Sequence, residues 1–188
     1  MQQGIDDDMS NSRRNENMEF GITALVVDDD QDTVEVLAEF LKIKGINVIG
    51  KAYDGLEAVM RYIELKPTVI FLDVMMQNHD GFYTLEKIRK VHPDAIIILI
   101  TGDATKETRK KLLELDASAL IYKPYDINEV IEVTNNLVLK LQQDLLKEIA
   151  LKKSCLENLN AILEHRLSKS ERDKIRKAQY FDEKEKLV

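Results

Sequence analysis

Asp28, Asp29, Asp73, Thr101 and Lys123 are the residues whose types and order could handle a phosphoryl group. Each follows a short apolar run. Ala24–Val27 leads into Asp28-Asp29-Asp30, Thr68–Leu72 into Asp73, Ala95–Ile100 into Thr101, and Ala119–Tyr122 into Lys123. Carboxylates gathered at one place repel one another, and a cation relieves the repulsion. Oxygen-only ligands select a hard ion, Mg²⁺ rather than Zn²⁺. Mg²⁺ keeps several waters and needs one or two carboxylates beside phosphate oxygens, which leaves a carboxylate free to act as a nucleophile. The Lys123 ammonium would neutralise the phosphoryl oxygens, and the Thr101 hydroxyl would donate a hydrogen bond to them. Singly these residues have ordinary uses: aspartates after strands cap helices, as Asp30 does in this reading, and Thr-Gly and Lys-Pro make turns. The order Asp-Asp, Asp, Thr, Lys-Pro, each after its own strand, carries the assignment.

The elements that position them follow from periodicity. Continuous apolar runs between helical patterns read as buried strands of a parallel sheet, and ligands of such sheets bind beyond the carboxyl ends of the strands. The pattern predicts strands near 22–28, 46–51, 68–73, 95–101 and 118–122, and helices near 31–44, 55–65, 81–91, 104–115 and from 126 onward. Val34, Leu37, Ala38 and Leu41 give the first helix its apolar face, and Gly45 stops it. Pro67 and Pro93 break the chain before the third and fourth strands. Asp126 with Glu129 resembles a capping box. The fold class is α/β: a five-stranded parallel doubly wound sheet with an extended C-terminal helix.

Composition sets the boundaries. Residues 1–20 read as a disordered leader, 21–138 as the main domain and 139–188 as a helical extension. The formal net charge of −7 is uneven: −3 over 1–20, −7 over 21–138 and +3 over 139–188. An acidic body argues against direct contact with nucleic acid. The N-terminus lacks a signal peptide's apolar core, and no apolar stretch reaches the roughly 18 residues of a membrane span. The expected location is cytoplasmic, with no membrane partner. The single cysteine, Cys155, excludes an intramolecular disulfide and a cysteine zinc cluster; its apolar neighbours predict a buried or half-buried thiol. The extension has no Gly or Pro between Val130 and Leu167. Leu141, Leu145, Ile149, Leu156, Leu159, Leu163 and Leu167 form a stripe nearer the 3.6 period than 3.5. Such a stripe needs a cover, and the reading is a homodimer or an effector complex through this helix. Ser168 with Glu171 reads as a helix restart.

With these motifs the chain resembles the receiver domain of two-component response regulators, the flavodoxin-like fold of the chemotaxis regulator, over residues 21–138. The carrying motifs are Leu25–Asp30, Phe71–Met76 followed by Asp80-Gly81, Ile98–Gly102, and Tyr122-Lys123-Pro124-Tyr125. The resemblance implies that Asp73 accepts a phosphoryl group from a histidine kinase or phosphotransfer protein. It implies that Asp29, Asp73 and the backbone carbonyl of Met75 hold Mg²⁺, with Asp28 acting through a bound water. Thr101 and Lys123 would contact the phosphoryl group, and the Lys123–Pro124 bond would be cis. The implied role is signalling, with self-phosphorylation and autodephosphorylation its only chemistry.

Three positions depart from the family pattern. Gln77 stands where proline is usual and His79 where an apolar residue is common, which predicts a less rigid 73–81 loop. Leu120 stands at the aromatic switch position, and a leucine cannot present a ring edge to Thr101. Tyr122 is offset from that position by strand alternation. The competing readings are a degenerate scaffold receiver, a phosphorelay intermediate using His165 on the tail helix, and a haloacid-dehalogenase-like phosphatase. The first requires lost site residues, and all five are present. The last usually has a second aspartate two residues after the nucleophile, where this chain has Met75.

Overall fold

The computed structural model describes residues 21–166, 171, 173 and 174, with Leu112 and Leu113 described by backbone alone. The leader at 1–20 and the restart at Ser168 lie outside the described residues. The chain divides into two compact units, Met1–Leu139 and Lys140–Val188.

The first unit alternates strands and helices: β1 Thr23–Val27, α1 Gln31–Ile43, β2 Asn47–Ala52, α2 Gly55–Leu65, β3 Val69–Asp73, α3 Gly81–Val91, β4 Ile96–Thr101, α4 Lys106–Glu114, β5 Ala119–Tyr122 and the start of α5 Ile127–Arg166. The strand bounds fall within one residue of those read from apolar runs. All four strand pairings are parallel, and the sheet order is β2-β1-β3-β4-β5. β3 is the middle strand, buried along its whole length, which is why its sequence is continuously apolar and not alternating.

Alternation along β3 feeds two cores. Val69 and Phe71 pack with Val34, Leu37 and Leu41 of α1 and Val130 and Val138 of α5. Ile70 and Leu72 pack with Ala58 and Tyr62 of α2 and Leu85 and Ile88 of α3. Helices therefore cover both faces, as a doubly wound sheet requires. Full burial of an aliphatic side chain contributes roughly 1.5–3 kcal/mol, so these two layers dominate the stability of the unit.

Local signals fix the helix ends. Asp30 caps α1: its carboxylate accepts the Asp32 amide at 3.2 Å and the Thr33 hydroxyl at 2.7 Å. Gly45, at φ +85°, terminates the same helix in a conformation that costs glycine little. Asp54 and Asp80 cap α2 and α3. Ahead of α5, the first-turn donor to Asp126 is the Asn128 amide at 2.8 Å. No helix among the described residues is long and apolar enough to cross a membrane.

In the second unit, α5 continues through Arg166. Its large aliphatic residues are exposed, Leu145, Ile149, Leu156 and Leu159 among them. Cys155 is exposed as well, which corrects the expectation of a buried or half-buried thiol. Apolar neighbours along a helix bury a thiol only when another element covers that face.

Candidate functional site

The carboxyl ends of β1, β3 and β5 converge. Asp28 follows β1 and Asp73 ends β3, and both are almost fully buried, at 6% and 5% exposure. Lys123 follows β5 and reaches over both. Its Nζ donates to Asp28 Oδ2 at 2.8 Å and to Asp73 Oδ1 at 2.8 Å. The other oxygens are also engaged: Asp28 Oδ1 accepts the Asp30 amide at 3.0 Å, and Asp73 Oδ2 accepts the Met75 amide at 2.7 Å. A lysine between two buried carboxylates offsets part of their repulsion and leaves the trio one negative charge in excess.

The electrostatics follow from burial. Desolvation lifts the Asp73 carboxyl above its usual range, against the pull of Lys123, and the neighbouring charge of Asp28 adds to the rise. Desolvation acts downward on the Lys123 ammonium, but its hydrogen bonds to Asp28 and Asp73 together lift it above the ordinary lysine value. Lys123 is therefore a fixed positive charge in this site.

Thr101 ends β4 one residue beyond Ile100, the register partner of Asp73. It is fully buried; its Oγ1 accepts the Asp103 amide at 3.1 Å, and its carbonyl accepts the Lys123 amide at 2.8 Å. Strands β4 and β5 thus place Thr101 and Lys123 side by side. The Lys123–Pro124 bond is cis, as the resemblance implies. Leu120 is half-buried against the core on the α2–α3 side, in register with Leu99. Tyr122 is in register with Thr101 and exposed.

Asp29 is exposed and tied to the loop after β3: its Oδ2 accepts the Gln77 amide at 3.1 Å. The 73–81 loop, which the missing proline predicts to be loose, is held at several points. Gly55 donates to the His79 carbonyl at 2.9 Å, and Gly81 donates to the Val74 carbonyl at 3.0 Å. A Cβ at Gly81 would collide with the Asp73 carbonyl, so this approach admits only glycine. Proline at 77 could not donate to Asp29. The sequence marks Gln77 only as a departure from the family's proline, because a backbone donor leaves no side-chain signature. Tyr125, named in the sequence only as the end of the Tyr122–Tyr125 motif, and Thr33, which no motif marks, line a small cavity with Asp28, Asp73 and Lys123. Burial raises the Tyr125 hydroxyl above the usual tyrosine value.

Among the described residues no three acid, histidine or cysteine side chains form a ready-made metal cage. The donors present still suit a hydrated hard cation. They are all oxygens, they carry excess negative charge, and an ion that keeps its waters needs one or two carboxylates.

Residues 24–135 match the response regulator receiver domain model. The chain belongs to the response regulator receiver domain family. This receiver is 30% identical over 115 residues to the chemotaxis protein CheY of Thermotoga maritima, covering 61% of the chain and 96% of that relative. It is 32% identical over 172 residues to a protein-glutamate methylesterase/protein-glutamine glutaminase of Methanosarcina mazei, covering 88% of the chain but 45% of that longer relative. Among solved structures it resembles a chain of the CheX-CheY-BeF3-Mg²⁺ complex from Borrelia burgdorferi. That likeness has 29% identity and a TM-score of 0.61, and covers 65% of this chain and 93% of that one. The receiver is thus CheY-like, and its five-stranded flavodoxin-like fold agrees with the sequence reading.

Proposed function

We propose that this receiver accepts a phosphoryl group on Asp73 from a histidine kinase or phosphotransfer protein, in a Mg²⁺-dependent cytoplasmic step, and signals by association with partners. The observation that carries the reading is the buried Asp73 carboxylate at the end of the central strand, held by Lys123 at 2.8 Å beside Asp28. In the reaction an Asp73 oxygen forms the new O–P bond as the donor's N–P bond breaks and the imidazole leaves with the electron pair. Lys123 neutralises the phosphoryl oxygens, and the Thr101 hydroxyl turns to donate to them. Asp29, Asp73 and the Met75 carbonyl would hold Mg²⁺, with Asp28 contributing through a water. The ion would supply neutralisation of the transferring charge. The Mg²⁺ and BeF3 named with the Borrelia CheY accord with this donor set.

Acetyl phosphate with Mg²⁺ should add one phosphate to the chain by intact mass, and chelation should abolish the gain. Asp73→Asn should take none, because an amide is not a nucleophile. Asp29→Ala should weaken Mg²⁺ binding more than Asp28→Ala, whose carboxylate is already committed to Lys123 and the Asp30 amide. Undiminished phosphate on the Asn variant would remove Asp73 from the role.

A further inference from the structure

Within the second unit, α5 turns a run of large aliphatic side chains to solvent. Leu145, Ile149, Leu156, Leu159 and Leu163 are 55%, 53%, 59%, 52% and 45% exposed. An apolar strip broken only at Lys152 marks an association surface. Counted with Lys152, these residues recur at alternating steps of four and three. Ile149, Leu156 and Leu163 occupy one core position of a seven-residue repeat, and Leu145, Lys152 and Leu159 the other. The stripe reads as 3.6 only when Leu141 is included and Lys152 passed over.

The flanking positions identify what covers the strip. In a parallel, in-register pair of helices, a residue just before the first core position faces the residue five places later on the second copy. Here Leu141 would face Leu146, Glu148 would face Lys153, and Cys155 would face Asn160. Apolar meets apolar, acid meets base, and polar meets polar. An antiparallel pair centred on the same layers would set Leu146 against Lys153 and Glu148 against Cys155, with no opposite charges matched. The surface is complementary to itself in one orientation.

Lys152 is the exception in the seam. It is held within its own helix by Glu148 at 2.6 Å. In an in-register pair Lys152 would face its own copy, so this layer costs stability and the apolar layers on either side must offset it.

We propose that the extension of α5 pairs with a second copy of this chain as a parallel, in-register two-stranded coiled coil centred on Lys152. This deepens the reading of the extension as an association surface and does not depend on chemistry at Asp73.

The test uses the full chain carrying Cys155→Ser, with Leu159→Cys added in the seam or Ser154→Cys added on the opposite face as control. Light scattering at about 50 µM should give a dimer, since coupling of this kind is set by concentration. Mild oxidation should link the Leu159→Cys chains into disulfide dimers well ahead of the control, because only the seam brings two equivalent positions within disulfide reach. Lys153→Glu should weaken dimerisation about ten-fold, the sum of two lost attractions and two new repulsions of ordinary surface size. Adding Glu148→Lys should restore it. A monomer by light scattering overturns both the pairing and the association reading. A dimer that does not link through Leu159→Cys overturns the parallel register and leaves the association reading standing. Phosphate uptake, read by intact mass on the same samples, tests Asp73 separately.

Discussion

Asp73 holds its charge at a cost. Burial raises its pKa, so the folded protein binds a proton there more tightly than the unfolded chain does. The protonated group's favourable contribution is complete below the ordinary aspartate range and is lost as pH rises through the raised folded value. Above that value the buried anion opposes stability. Asp73→Asn removes this anion while Asp28 still pairs with Lys123. The variant should therefore have a higher thermal midpoint than the parent at pH 7, with the gap narrowing as pH falls towards 4. A midpoint difference independent of pH would contradict this origin. Gln77 acts at the same scale: its backbone amide donates to Asp29 and fixes an exposed carboxylate, a bond that proline at 77 could not make.

Elements distant from Asp73 are secured by one side chain. Arg89, near the end of α3, donates to the Asp116 carbonyl at 2.9 Å, the Pro93 carbonyl at 2.8 Å and the Ala95 carbonyl at 2.5 Å, and to Ser118 Oγ at 3.1 Å. Those acceptors precede β4 and β5, at the strand ends opposite to Asp73. Ser118 Oγ in turn accepts the Ile97 amide at 3.0 Å. Hydrogen bonds from a charged donor contribute about 1.5–3 kcal/mol each in favourable cases, less where solvent reaches them. Arg89→Met should lower the unfolding free energy by roughly 2–3 kcal/mol in urea titrations. Phosphate uptake by the folded fraction should be unchanged, since the clip touches no site residue. A loss of uptake equal to that of Asp73→Asn would show that the clip also positions the site.

The whole chain comprises two units with different sources of stability. The first unit has two apolar layers and its own site; the second, over its described residues through Arg166, is a helix whose large aliphatic residues are exposed. A chain ending at Lys140 should fold cooperatively and take up phosphate on Asp73, because Val130, Thr134 and Val138 remain to cover the sheet. A chain ending at Tyr125 should not fold, because the face of the sheet that holds Phe71 and Ile98 loses the α5 side chains packed against it. Circular dichroism melts of the two truncations distinguish these outcomes. A cooperative melt from the shorter chain would contradict the role of α5 in the core.

The strands were legible in the sequence because a parallel strand buried on both faces must be continuously apolar, as Val69–Leu72 is. The acids at their ends were legible because a polar residue closing such a run falls at the ligand-binding edge. Helix stops at Gly45 and caps at Asp30 are local chemistry, decided within one turn of chain. The remaining features depend on separations that no periodic pattern reports. Lys123 meets Asp28 across 95 positions and Asp73 across 50, a meeting set by the order in which the strands are laid down. The Gln77 amide reaches Asp29 across 48 positions with no side chain to announce it. Cys155 illustrates the limit from the other side. Its neighbours along the helix predict burial, but burial belongs to whatever packs against a face, and only the tertiary structure says whether anything does.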